Sequence, residues 1–171
     1  MCKQAMTRSE RIEITLPTGK SVQATKIIVQ SEIPYSREKI WQLIMTTHSL
    51  QFICRPWIFF KPQKGQHLNE QWREGDTARL TLWVYGFFPF GKHNIFLERI
   101  APLHYQIQSR ETGNFITVWD HLITMKESGA GATRYSDEVV IYAGVLTGLV
   151  AWWSKGLYRH RQRRWLKLLA C

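Results

Sequence analysis

One histidine and one aspartate, His121 and Asp137, are the residues of this sequence best placed to do chemistry. An imidazole beside a carboxylate acts as a general base oriented by its acid, or as a polar anchor for a ligand. The same pair serves equally as a cross-strand contact that satisfies two half-buried polar groups, and structural pairs outnumber catalytic ones. A hairpin brings the two together. Centred on Gly129, it pairs Met125 with Thr133, Ile123 with Tyr135, His121 with Asp137 and Trp119 with Val139. Directly opposite residues hold their Cβ atoms about 4.5–5.5 Å apart on one face. A slip of one residue would set Glu138 against His121 and turn the Tyr135 set outward. His93, at the start of a strand, is a third candidate on the same side, although a lone histidine is usually just packed or exposed.

Other chemistries lack their residues. There is no nucleophile elbow, no Walker loop and no dinucleotide glycine fingerprint. Cys2, Cys54 and Cys171 are odd in number with two at the ends, which gives no disulfide framework and no metal spacing. No cofactor or metal is therefore expected, and free thiols suit a reducing cytoplasm. Residues 1–10 are polar, without the apolar stretch of a signal peptide. The longest uncharged run, 139–154, is broken by Gly144, Thr147 and Gly148 and is short for a membrane span. It reads as a strand end, a turn and a helix start.

The elements that must position these groups follow from pattern and punctuation. The chain has 171 residues, 44% hydrophobic and 13% aromatic, which suits one domain with a large core or an aromatic-walled pocket. Residues 1–23 read as a polar leader with a weak strand at Ile12, Ile14 and Leu16, ahead of a single domain over 24–170. A strand over 26–33 stops at Pro34. Ser36 then caps a helix with Glu38 in its first turn. Residues 48–55 form a short irregular or helical segment. Six strands are expected at 57–62, 77–85, 94–100, 105–111, 115–125 and 133–142. Turn signals between them include Pro89-Phe90-Gly91 and Thr112-Gly113-Asn114. Such short connections imply antiparallel neighbours. A helix over 146–169 closes the chain. Its apolar stripe is Leu146, Leu149, Val150, Trp153 and Leu157, and a bend near Gly156 keeps a second set, Tyr158, Trp165, Leu168 and Leu169, against the sheet.

Several stretches together carry a resemblance. Ile27-Ile28-Val29 through Ile33-Pro34-x-Ser36-x-Glu38-x-Ile40-Trp41-x-Leu43 resembles the entry segment of the START-like (SRPBCC) superfamily, which includes polyketide cyclases and lipid-transfer domains. Gly86-x-x-Pro89, Trp119-x-His121-x-Ile123-x-Met125 and Thr133-x-Tyr135-x-Asp137-x-Val139 are similar to one bacterial ligand-binding branch of it. Ile123 stands where that branch usually carries a second histidine, which counts against any role needing two. Over residues 26–169 the resemblance implies an α+β helix-grip fold: an antiparallel sheet wrapped around a long C-terminal helix, with a cavity between. It implies no reaction, since the fold hosts binders and enzymes alike.

Strand alternation selects the cavity-facing residues. Leu80, Leu82 and Val84 face in from one strand, Trp119 and His121 from another, Tyr135 and Asp137 from a third. Trp153 and Leu157 face them from the helix, and His93 joins the polar end. Three functions follow. The leading one is binding of a hydrophobic or amphipathic small molecule, lipid- or polyketide-like. The second is a cyclase or dehydratase in which His121 is the acid–base and Asp137 orients it.

The third draws on charge. The net charge is +10, and no acidic residue follows Glu138. Arg159, Arg161, Arg163, Arg164 and Lys167 on the last helix suit docking to an anionic membrane surface or an acidic partner. A solvated helix face that keeps the protein soluble reads as well. Nucleic acid is not the expected partner, because RNA sites add exposed aromatics among the charges, and Trp165 is the only close candidate.

Overall fold

The structure, a computed structural model, describes residues 3–129 and 131–170. Eight antiparallel strands form one sheet: β1 (Lys3–Thr15), β2 (Ser21–Ile33), β3 (Ile58–Pro62), β4 (Thr77–Val84), β5 (Phe88–Ala101), β6 (Gln106–Gly113), β7 (Val118–Glu127) and β8 (Thr133–Tyr142). Their spatial order is β1-β2-β8-β7-β6-β5-β4-β3. Two short helices, α1 (Arg37–Ile44) and α2 (Thr47–Cys54), fill the crossover from β2 to β3. The terminal helix, α3 (Thr147–Leu169), packs on β2, β8 and α2. This is the α+β helix-grip architecture.

Local chemistry explains the helix starts. Ser36 is extended, and its hydroxyl accepts from Lys39 N at 3.3 Å, while Glu38 lies in the first turn of α1. Thr46 does the same for α2, accepting from Ser49 N at 3.2 Å. Residues 48–55, irregular or helical by sequence, are thus mostly helix.

Four expectations are corrected. The stretch read as a polar leader supplies edge strand β1, which pairs with β2 from Thr15↔Ser21 to Lys3↔Glu32. The turn at Gly19 (φ +82°) reverses the chain between them. Polar residues suffice there because an edge strand gains its stability from one ladder of backbone hydrogen bonds. The turn expected at Pro89-Phe90-Gly91 lies earlier, at Tyr85 and Gly86 (φ +52° and +82°). Pro89 and Gly91 belong to β5, where the register shifts beside Leu82 and Trp83, a bulge being a place where a strand tolerates proline.

The hairpin between β7 and β8 is tighter than expected. Glu127 pairs with Thr133, so Ile123, not His121, stands opposite Asp137, and His121 stands opposite Val139. The shift is two residues, which preserves every side chain's face. The helix α3 runs through Gly156 without interruption. That glycine provides space: a Cβ there would lie 2.7 Å from the Trp57 ring.

The core lies between the concave face and the helices. One cluster gathers Ile33, Leu80, Tyr135, Leu157 and Trp165. A second, nearer the start of α3, gathers Ile27, Val29, Trp119, Val139 and Tyr158. The expected apolar stripe of α3 is displaced from this core. Leu146 and Leu149 are exposed, whereas Ala151, Ser154, Tyr158, Arg161 and Gln162 are buried beside Leu157. Leu146 and Leu149 border open space rather than packed sheet.

Candidate ligand-binding site

That open space is a cavity of about 590 Å³ between the sheet, α2 and α3. Most of its wall is apolar, and seven residues expected to face it do so: Leu82, Val84, His93, Trp119, His121, Trp153 and Leu157. Leu80, Tyr135 and Asp137 do not line it. They are fully buried behind the wall, Leu80 and Tyr135 among core side chains and Asp137 beneath His121. At the mouth stand Phe88, Phe115, Leu146, Leu149 and Trp152, all large, apolar and exposed.

A band of polar groups crosses the inner wall. His121 Nε2 lies 2.8 Å from Asp137 Oδ1 although the two are not directly opposite, because an imidazole reaches a diagonal neighbour. Gln162 Nε2, from α3, donates to Asp137 Oδ2 at 2.9 Å and to Val29 O at 2.7 Å. The Tyr135 hydroxyl donates to Asp137 Oδ1 at 3.5 Å. A second pair continues the band: His93 Nε2 lies 2.8 Å from Glu111 Oε2, and Ser109 Oγ donates to Glu111 Oε1 at 2.8 Å. The two pairs approach where His121 Nδ1 stands 3.9 Å from Glu111 Oε1. Gly113, the strand partner of His93, makes room for this, since a Cβ there would lie 3.0 Å from His93 Nδ1.

The electrostatics follow from burial and partners. Burial opposes ionisation of Asp137, but the His121 hydrogen bond, the Arg161 charge and the Gln162 donor outweigh it and hold the carboxyl below its usual range. Glu111 is partly buried, which opposes its ionisation, but its bond to His93, with the charges of His93 and His121 and the Ser109 donor, holds it low. Burial pushes the Cys54 thiol on the cavity wall up to about 11, so it stays protonated and unreactive at neutral pH. Burial, with Asp137 nearby, raises Tyr135, and burial dominates at Tyr158, so both phenols remain neutral. The Tyr158 hydroxyl accepts from Trp119 Nε1 at 3.0 Å.

The basic helix divides. Arg161, expected on an anionic-binding surface, is buried at 7% exposure and lines the cavity. Four residues after Leu157, it follows the helical repeat onto the inner face. Arg164 packs over the Phe52 ring and donates to Phe52 O at 3.2 and 3.3 Å. Arg159 Nε donates to Thr7 Oγ1, and Lys155 Nζ to Ser9 Oγ, each at 2.8 Å, and these bonds fasten β1 to the helix. Arg163 and Lys167 are exposed. Trp165, the aromatic close to those charges, is fully buried.

Sequence reasoning missed Glu111, Ser109 and Arg161 as cavity residues. Alternation along β6 carried the signal for the first two, because Ile107, Ser109 and Glu111 share a face and Ser109 pairs with His121. No group of three or more His, Cys, Asp or Glu among the described residues is placed to hold a metal, and no described helix is long and apolar enough to cross a membrane. Cys2 and Cys171 lie outside the described residues.

The fold is START-like. A START superfamily protein from Mycobacterium smegmatis superposes with a TM-score of 0.64 at 13% identity, covering 85% of this chain and 97% of that one. A conserved protein from Geobacillus kaustophilus gives 0.58 at 15% identity, covering 84% and 93%. CalU16 from Micromonospora echinospora gives 0.52 at 16% identity, covering 96% and 99%. Over residues 31–169 the sequence matches the domain of unknown function DUF8410, and the chain belongs to that family. A comparison with curated proteins finds no match.

Proposed function

We propose that this protein binds a hydrophobic or amphipathic small molecule, lipid- or polyketide-like, in the cavity between sheet and α3. The observation that carries the reading is the open volume of about 590 Å³ with a predominantly apolar wall. Small-molecule sites are of this size and character, with a few placed polar groups. Well-packed interiors close voids of this kind, since each void forfeits dispersion contacts. The free, buried thiol of Cys54 accords with a cytoplasmic setting.

Native mass spectrometry on gently purified protein, with N-phenyl-1-naphthylamine fluorescence on the stripped protein, tests this. A discrete extra mass that denaturation releases, or saturable probe binding that Leu82→Trp abolishes, is the expected result. An apo mass together with no saturable binding of the dye would overturn the reading.

A cyclase or dehydratase using His121 and Asp137 is the second reading. Its support is the 2.8 Å bond between a cavity-lining imidazole and a buried carboxylate. It ranks second because both ring nitrogens of His121 face carboxylates, Asp137 on one side and Glu111 on the other. His121→Ala that still binds substrate but no longer turns it over would promote it.

A further inference from the structure

The inner wall holds one charge that meets no carboxylate directly. Arg161 is buried and lines the cavity, its Nε has no hydrogen-bond partner, and no carboxylate among the described residues forms an ion pair with it. The nearby acids are engaged elsewhere. Asp137 gives its oxygens to His121 and Gln162, and Glu111 gives its oxygens to His93 and Ser109. Each carboxylate thus spends its hydrogen bonds on an imidazole and a neutral donor, and none reaches Arg161. Its close companion is the Tyr158 ring, with Cζ 4.8 Å from the centroid. That contact covers one face of the guanidinium but accepts none of its five N–H groups. Cys54 beside it is a neutral thiol.

Asp137 acts on Arg161 only through its field, and a buried guanidinium whose N–H groups lack acceptors is disfavoured unless something that enters the site supplies them. The geometry points to a ligand with a carboxylate head that pairs with Arg161, while its apolar body lies against the apolar part of the cavity wall. A guanidinium presents a planar fork that a carboxylate meets with two parallel hydrogen bonds. This inference deepens the ligand-binding reading above and rests on it. The exposed apolar mouth then gives the tail its way in, and Arg161 selects among amphiphiles by the charge of the head.

The test displaces N-phenyl-1-naphthylamine from the full-length protein with three amphiphiles of one chain length: dodecanoate, 1-dodecanol and dodecylamine. Dodecanoate is expected to displace the dye at about tenfold lower concentration than dodecanol, the factor a charge-assisted hydrogen bond commonly gives, with dodecylamine weakest. In Arg161→Met the dye still binds and the advantage of dodecanoate over dodecanol disappears, while Arg161→Lys retains part of it. If dodecanol matches or outcompetes dodecanoate on the unaltered protein, the carboxylate head is overturned and the apolar cavity stands. If the dye and all three amphiphiles fail to bind, the cavity reading falls and takes this inference with it. The comparison on the unaltered protein decides even if Arg161→Met does not fold.

Discussion

The mouth of the cavity and its inner wall invert the usual arrangement of a globular protein. At the mouth, Leu149 and Trp152 on the first turns of α3 are 63% and 69% exposed. On and behind the inner wall, Asp137, Arg161, His93 and His121 are buried and Glu111 is partly buried. Isolated exposed apolar residues need no explanation, but a contiguous rim around a cavity marks a binding surface. Buried charges are tolerated where partners satisfy them. The mouth should therefore be dispensable for folding, and the polar band should not.

The sharpest way to break that contrast is to remove the acceptor on which the band converges. Asp137→Ala leaves His121 and Gln162 facing a void and removes the carboxylate whose field reaches Arg161. Loss of one partner from a buried charged network costs about 3–5 kcal/mol. Urea unfolding should show a loss in that range, and Asp137→Asn, which keeps an acceptor for one donor, should lose less. A loss below about 1 kcal/mol for the alanine variant would mean the band is solvated.

Acid should weaken the same region. Burial opposes the ionised forms of Asp137 and Glu111, yet their imidazole partners hold both below the usual carboxylate range. A carboxylate depressed in the folded state binds its proton more weakly there than in the unfolded chain. Its contribution is therefore complete above the unfolded values, about 3.9 for Asp and 4.3 for Glu, and is lost as pH falls through the lower folded values. Melting temperature should fall steeply below about pH 4, and Asp137→Asn should fall less steeply because one of the two groups is gone. Equal slopes in the two proteins would remove Asp137 from the account.

Between mouth and band, α3 passes the Trp57 ring at Gly156. Gly156→Ala would raise helix propensity by about 1 kcal/mol in open solvent. Here its Cβ would sit 2.7 Å from a carbon of the Trp57 ring, which already lies between the Trp153 and His160 rings at centroid distances of 5.8 Å. Overpacking of this kind costs about 1–3 kcal/mol, so the net change should be destabilising by urea denaturation. A stabilised variant would show that the ring moves aside.

These features were unequally legible in the sequence. Strands β4, β6, β7 and β8 and helix α3 were readable because alternation, turn residues and helical spacing agreed there, whereas Pro89 and Gly91 hid the first residues of β5. β1 was understated, since an edge strand such as Arg8-Ser9-Glu10-Arg11 carries little apolar alternation and depends on its ladder with β2. The site was half legible. Parity put His121 and Asp137 on one face, and parity survives a two-residue error in register, so the contact forms although the expected opposite pairing does not. Arg161 was read as surface because a guanidinium is rarely buried. The position four residues after Leu157 says otherwise, but only once the cavity exists to receive it. Leu146 and Leu149 were read as core because spacing reports a face and not what lies against it.

The smallest expected effect lies at the mouth, and it sharpens the contrast most. Leu149→Ser and Trp152→Ser replace exposed apolar side chains that neither packed cluster includes. Surface substitutions of this kind change stability by about 0.5 kcal/mol or less, so urea midpoints should coincide with that of the unaltered protein. Dye binding should nevertheless weaken, because Trp152 and Leu149 border the entrance and lend apolar area to whatever occupies it. The dissociation constant for N-phenyl-1-naphthylamine should rise a few-fold, by about the affinity that one partly buried side chain confers. Unchanged stability with weakened binding would separate the two regions cleanly: the band holds the fold, and the rim serves the ligand. A large loss of stability would instead make the rim part of the core, and the inversion between mouth and wall would vanish.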